Sequence, residues 1–244
     1  FHPCKVVRFY LRSMQIQLLD ENLEFPSVDK ATNEGLLAVG GDLSTARLIA
    51  AYEHGVFPWF NPGDMILWWA PPQRAIIPLD GIKIHKSMRN ELNKKRYKIT
   101  YDTRFEDVVK GCALAKRGEE NPETWISNDI HQAYCNLHKL GLAHSVEVWK
   151  DSELVGGLYG VSIGSMFFGE SMFSKSTNAS KVALIHLAQT LKQWNFGPID
   201  CQIMNDHLAS LGAIEIERSD FQETLKYHLT SSPTKKGLWT DEVL

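Results

Sequence analysis

The segment PIDCQIMND, residues 198–206, sets a carboxylate and a primary amide two positions apart. On an extended backbone the side chains alternate, so Asp200 and Gln202 share one face while Ile199, Cys201 and Ile203 share the other. An amide offers one carbonyl acceptor and two N–H donors. A carboxylate that takes one of those N–H groups fixes the direction in which the oxygen points. The pair is therefore suited to holding and orienting a polar partner. The alternative is that both side chains satisfy loop backbone groups, the commoner role of such residues.

Two other stretches carry charge in informative places. In SMFFGESMFS, Glu170 lies among aromatic and methionine side chains. An unpaired buried carboxylate is costly, so Glu170 needs a cationic or hydrogen-bonding partner, Lys181 being one candidate within the chain. In IKIHKSMRNELNKKRYK, Glu91 is the only acid between Lys83 and Lys98. A helix over roughly 85–95 puts Ile84, Met88 and Leu92 on one side, with Lys86, Arg89 and Asn93 opposite. That basic run is either a solvated face or a contact for phosphates.

The elements that carry these residues follow from turn and periodicity signals. STARLIAAYEHG reads as a helix with Asp42 or Ser44 as its N-cap and Gly55 as its stop. MILWWA and RAIIP read as strands bounded by prolines. TRFEDVVKGCALAK and SNDIHQAYCNLHKLG read as helices. After Gly141 come three strands, HSVEVWK, ELVGGLYGVSI and SMFFGESMFS, the first two joined by a tight turn at Asp151 and Ser152. A long helix, NASKVALIHLAQTLKQWN, precedes the 198–206 segment. A short helix, the strand AIEIE and the helix DFQETLKYHL complete the order. Strand, strand, strand, helix, strand, helix, strand, helix predicts an α/β layered domain with a mixed sheet. The expected division is a smaller domain over 14–80 and a larger one over 81–244. Residues 1–13 read as an extension ahead of Met14 with no assigned function. The tail from Ser231 is expected to fray or lie on the surface.

The chain has 244 residues and a formal net charge of −3, so any polyanion must be met by a local patch. Its four cysteines, at 4, 112, 135 and 201, show no paired spacing, which points to reduced thiols in a cytoplasm. No metal or nucleotide motif appears, and neither cofactor nor metal is expected. Nothing reaches transmembrane length, and no membrane partner is expected.

The blocks GGDLS, YEHGVFPWF, WWAPPQRA, TWI, AHSVEVW, LVGGLYGV, FGESMFS, NASK, DCQ and NDHLASLGA occur together and in this order. As a set they closely resemble the leucyl/phenylalanyl-tRNA–protein transferase family over residues 24–221. The resemblance implies an enzyme of the N-degron pathway of protein degradation. It would move Leu or Phe, with Met as a further donor, from aminoacyl-tRNA to the α-amine of proteins that begin with Arg or Lys. It also implies a C-terminal domain of GNAT-type acyltransferase fold, and the chain is expected to act as a monomer. A rival reading as an acetyl-CoA-dependent acetyltransferase meets a helix opening, SKSTNASK, without the glycine pair that cradles a pyrophosphate. A non-catalytic tRNA-binding module would leave Asp200, Gln202 and Glu170 without a task.

Carried over by the resemblance, Asp200 and Gln202 become the catalytic pair, acting as a relay or simply positioning the acceptor amine. Ester aminolysis runs downhill, and roughly a tenth to a fifth of an ordinary α-amine is neutral at pH 7, so orientation can do most of what is needed. Glu170 falls at the active site. Leu158, Phe167, Met172, Leu184, Leu187, Leu191 and Ile199 become an apolar slot for the transferred side chain, although each could equally be core. Trp59 and Trp125 match tryptophans near the tRNA 3′-adenosine, with ordinary core packing as the alternative. Ser174 and Asn205 match polar positions, Asn205 being also a natural N-cap. Lys83, Lys86, Arg89, Lys94, Lys95 and Arg96 would grip acceptor-stem phosphates. One tension stands out. Strict alternation puts Phe167 and Glu170 on opposite faces, so bringing both inward requires a bulge at Gly169.

Overall fold

The computed structural model describes residues 16–115 and 124–240. The 1–13 extension, Cys4 and part of the loop before Trp125 lie outside them.

A four-stranded sheet is built from β1 (Gln17–Leu19), β2 (Leu36–Gly40), β3 (Phe57–Pro58) and β4 (Leu67–Trp69), in the order β1-β2-β4-β3. Helix α1 (Thr45–Glu53) begins where the Ser44 hydroxyl accepts the Arg47 N–H at 3.2 Å. It ends at Gly55, whose φ of +77° reverses the chain at no steric cost.

The larger sheet has seven strands: β5 (Gln73–Ile77), β6 (Lys98–Tyr101), β7 (Ala143–Lys150), β8 (Glu153–Ile163), β9 (Met166–Ser174), β10 (Ile199–Gln202) and β11 (Ile214–Glu217). Their order is β11-β5-β10-β9-β8-β7-β6, and only β9 and β10 run parallel. Strand β5, which sequence placed in the smaller domain, is bonded to β10 and β11. Residues 73–77 are thus part of the larger sheet. Helices α2 (Lys86–Asn93), α3 (Phe105–Leu114), α4 (Asn128–Lys139), α5 (Ala179–Gln193), α6 (Asp206–Ser210) and α7 (Arg218–Ser231) surround the sheet. The order read after Gly141 holds. The β7–β8 turn has φ of 49° at Asp151 and 67° at Ser152, the signs of a two-residue I′ hairpin.

Side-chain alternation gives the sheet two apolar faces. Leu158, Phe167 and Ile199 pack with Leu184, Leu187 and Leu191 of α5. Tyr159 and Phe168, their neighbours in sequence, enter the opposite core with Tyr52, Val108 and Tyr134. That second core is continuous with the packing of the small sheet, so both sheets share it.

Alternation in the larger sheet fails at Val155 of β8 and, beside the site, on the adjacent strands β9 and β10. On β9, Ser171 faces Tyr159 and Gly169 faces Gly160, which makes Glu170 an extra residue without a partner on β8. On β10, Asp200 faces Ile76 and Gln202 faces Ala75, which makes Cys201 extra. The last paired residues of β9 and β10 are Phe168 and Asp200. Past them the strands part.

The described part of the tail, residues 231–240, lies mostly on the surface, one of the two outcomes expected, but it is anchored at Trp239. Trp239 is 1% exposed and stacks on His144 at 3.7 Å, while its backbone N–H donates to Asp102 at 2.8 Å. Trp194, Phe196 and Phe167 close around the indole. A large apolar ring with three aromatic neighbours gains more by burial than the segment loses by ordering.

Candidate active site

The parting strands open a cleft of about 1460 Å³. Leu158, Phe167, Leu184, Leu187 and Ile199 form its apolar part, and Trp125, Glu170, Met172, Ser174 and Asn205 also line it. Leu191 stands behind that wall in the same apolar cluster. The bulge reconciles what strict alternation could not. Phe167 and Glu170 both reach the cleft because an unpaired residue follows Gly169.

Glu170 is bound by hydroxyls and an amide. Tyr52 Oη donates to Oε1 at 2.6 Å, Tyr134 Oη contacts Oε2 at 2.8 Å, and Gln202 Nε2 donates to Oε1 at 2.9 Å. The two tyrosine oxygens are themselves 2.5 Å apart. Lys181 is not the partner. Burial pushes the Glu170 carboxyl up to about 7, against the lowering effect of the two hydroxyls. Burial likewise holds both tyrosines well above their ordinary range, and the Glu170 charge adds to it.

Asp200 is fully buried beneath this layer and is held by Arg74, which sequence reading did not single out. Arg74 Nε and Nη2 donate to its two oxygens at 2.8 and 2.6 Å. The guanidinium also donates to Gly55 O at 3.1 Å and lies between the rings of Phe57 and Phe221. Asp200 therefore does not hold the Gln202 side chain, as the relay picture required. Its Oδ1 accepts the Gln202 backbone N–H at 2.9 Å. Gln202 has φ of +65°, a left-handed backbone that turns its side chain away from the strand's alternation and toward Glu170. The amide is still oriented by a carboxyl, but that carboxyl is Glu170.

Asn205 fills both expected roles. It caps α6 by accepting the Leu208 N–H at 2.9 Å, and it lines the cleft. Ser174 accepts the Ser180 N–H at 3.0 Å, where α5 begins. Trp59 lies against Trp69, with ring centres 6.0 Å apart, and is not among the residues lining the cleft. The burial of Cys201 pushes its thiol up, away from thiolate chemistry.

Helix α2 packs Met88 onto Val182 and Ile185 of α5, the helix whose Ser180, Leu184 and Leu187 form one wall of the cleft. Lys83, Lys86, Arg89, Lys94, Lys95 and Arg96 are all exposed. Glu91 pairs with Arg96 and lies 3.6 Å from Lys94. Lys83, Lys86, Arg89 and Lys95 form no ion pair among the described residues.

An apolar recess for one group, a carboxyl in its lining that is bonded to the Gln202 amide, and a basic surface alongside outline an enzyme that transfers an acyl group. The family model described as leucyl/phenylalanyl-tRNA protein transferase matches residues 76–226, and the model of that family's N-terminal domain matches residues 41–72. The chain belongs to the leucyl/phenylalanyl-tRNA protein transferase family. A leucyl/phenylalanyl-tRNA–protein transferase of Flavobacterium johnsoniae is 54% identical over 208 residues, 85% of this chain and 98% of the relative. One from Yersinia enterocolitica is 50% identical over 230 residues, 93% of this chain and 95% of the relative. Among solved structures, L-PGS from Bacillus licheniformis matches 64% of this chain and 56% of its own at TM-score 0.38 and 13% identity. A likeness that low carries no argument about this chain.

Proposed function

We propose that this chain takes Leu or Phe from the 3′ end of aminoacyl-tRNA and joins it to the α-amine of a protein that begins with Arg or Lys. The transferred side chain enters the recess of Leu158, Phe167, Leu184, Leu187 and Ile199, where a polar side chain would lose its hydrogen bonds to water. Gln202 presents its carbonyl oxygen to the incoming amine while Glu170 holds its NH₂. Asp200 acts beneath it, fixing the Gln202 backbone together with Arg74. Trp125 offers a ring to the terminal adenosine, and stacking of that kind is worth ~1–3 kcal/mol per base. Trp59 supports the same region from the side of Trp69. The exposed cations of α2 and its flanks run along phosphates of the acceptor stem.

As the bond forms, the amine nitrogen loses a proton and the leaving ribose oxygen gains one, so the transfer is balanced without a resident cofactor. Orientation is the main contribution asked of the protein. We read the larger unit as a GNAT-type acyltransferase domain, acting as a monomer in the cytoplasm. No helix among the described residues is long and apolar enough to cross a membrane.

The observation that carries this reading is the Gln202–Glu170 contact of 2.9 Å at the edge of an apolar cleft. The test is transfer of labelled Leu and Phe from their tRNAs to a peptide beginning with Arg, beside the same peptide beginning with Ala. Product on the Arg peptide alone supports the reading, and no product from either tRNA overturns it.

A further inference from the structure

Four contacts meet in the group formed by Glu170, Tyr52, Tyr134 and Gln202. They are Gln202 Nε2 to Oε1 at 2.9 Å, Tyr52 Oη to Oε1 at 2.6 Å, Tyr134 Oη to Oε2 at 2.8 Å, and Tyr52 Oη to Tyr134 Oη at 2.5 Å. Each needs one hydrogen between its two heavy atoms. Gln202 supplies one and each tyrosine supplies one, which makes three. With Glu170 ionised, every arrangement leaves one contact as two bare oxygens facing each other. With Glu170 protonated on Oε2, the count closes. The carboxyl donates to Tyr134, Tyr134 donates to Tyr52, and Tyr52 donates back to Oε1.

We infer that Glu170 rests as a carboxylic acid, closed into a three-membered ring of hydrogen bonds with Tyr52 and Tyr134, and that docking of a cationic acceptor expels its proton. On docking, the Oε2–H bond breaks and the proton leaves to solvent. Tyr134 then turns its hydrogen from Tyr52 to Oε2, and the carboxylate faces the cation. No electron transfer or further reactant is involved.

The groups facing Glu170 are consistent with this. Tyr52 comes from α1, Tyr134 from α4 and Gln202 from β10. Tyr159 of β8 packs its ring on that of Tyr134. Asp200 of β10 and Arg74 of β5 oppose each other in their effect on the Glu170 charge and are joined as a pair. Among the described residues, Asp200 and Arg74 are the charged groups that bear most on the carboxyl. The burial that raises the carboxyl to about 7 acts in the same direction as the proton count. A neutral, closed ring leaves no net charge on the buried Glu170 carboxyl until a positive group arrives. The Glu170 contribution to acceptor binding is thereby tied to the acceptor's charge.

The resting-state half is tested on the empty protein by carbon-13 NMR of glutamate carboxyls, with Glu170 assigned as the signal lost in Glu170→Gln. A midpoint near neutrality is expected. A midpoint in the ordinary carboxylate range, near ~4.3, overturns the ring. Tyr52→Phe sharpens the test because it removes two contacts and one hydrogen. The two contacts left, from Tyr134 and Gln202, are then fully satisfied with Glu170 ionised. The midpoint is expected to fall by about one pH unit, the equivalent of one net hydrogen bond. A rise, as expected if Tyr52 serves only as a donor to the carboxylate, overturns the ring, and so does no change.

The docking half rests on the acceptor reading above. Its test is calorimetry of an Arg-initiated peptide in two buffers of different ionisation heat. Release of close to one proton per peptide is expected at about pH 6, fading above about pH 8, and absent in Glu170→Gln. Binding without release, or release that survives Glu170→Gln, overturns the docking step. A peptide that does not bind, beside a neutral midpoint in the empty protein, overturns the acceptor reading and the docking step but not the ring.

Discussion

Arg74 and Asp200 face each other through two N–H···O contacts, at 2.8 and 2.6 Å, with both side chains at most 2% exposed. The pair joins β5 to β10, and through Gly55 O it reaches the end of α1. Removing one partner strands the other charge in the core. Arg74→Met is expected to cost ~3–5 kcal/mol in denaturant unfolding. The double variant Arg74→Met, Asp200→Leu should recover most of that loss, because an apolar pair has no charge to desolvate. It should not restore transfer, because replacing Asp200 also takes the acceptor away from the Gln202 N–H. Single-turnover rates measured beside unfolding curves check both statements.

Gln202→Ala keeps the left-handed turn close to its present geometry and removes the amide. Single-turnover transfer is expected to slow by roughly 10²-fold, the scale of losing one orienting contact, with Leu-tRNA and Phe-tRNA affected alike. A wild-type rate in a folded variant would remove Gln202 from the chemistry.

Stability should carry the mark of Glu170. Its carboxyl is raised from 4.5 to about 7 in the folded protein. Between those values the folded state holds more protons than the unfolded chain, so this group's contribution is full below the unfolded value and is lost as pH rises through about 7. Glu170→Gln is expected to flatten that part of the profile. Denaturant midpoints taken at intervals from acid to neutral pH measure it.

The recess should set the choice of donor. Leu184→Phe fills space that a transferred phenyl ring would occupy. The Leu-to-Phe ratio of kcat/KM is expected to rise by roughly 10-fold or more, the scale of one or two methylene-sized clashes. Competition between the two aminoacyl-tRNAs in one reaction reads the ratio directly.

Lys86→Ala and Arg89→Ala each remove one exposed cation beside the α5 wall. Each should weaken aminoacyl-tRNA binding and reduce the slope of log affinity against log salt by about 1. The effect should be the same for both donors, since phosphates carry no amino-acid information. Filter binding over a salt series checks it.

Local features of the fold were readable from local patterns. The α1 cap, the β7–β8 turn and the strand–helix order after Gly141 each depend on neighbours in sequence. The site was harder because its partners are distant. Arg74 and Asp200 are 126 positions apart, Tyr52 and Glu170 are 118 apart, and Tyr134 and Glu170 are 36 apart. A tyrosine on the apolar face of a helix reads as core, and only its hydroxyl distinguishes it from phenylalanine. That hydroxyl, on Tyr52 and on Tyr134, was the signal available for both. The Asp200–Gln202 relay was misread because alternation assumes an extended backbone at Gln202, where φ is +65°. The Glu170 bulge was anticipated because two requirements on Phe167 and Glu170 conflicted, and one extra residue satisfies both.

Trp239 supports the rear of Phe167 across 72 positions of chain, 239 − 167. A chain cut short before that indole would carry every residue named for the chemistry and yet lack the ring that stands against Phe167.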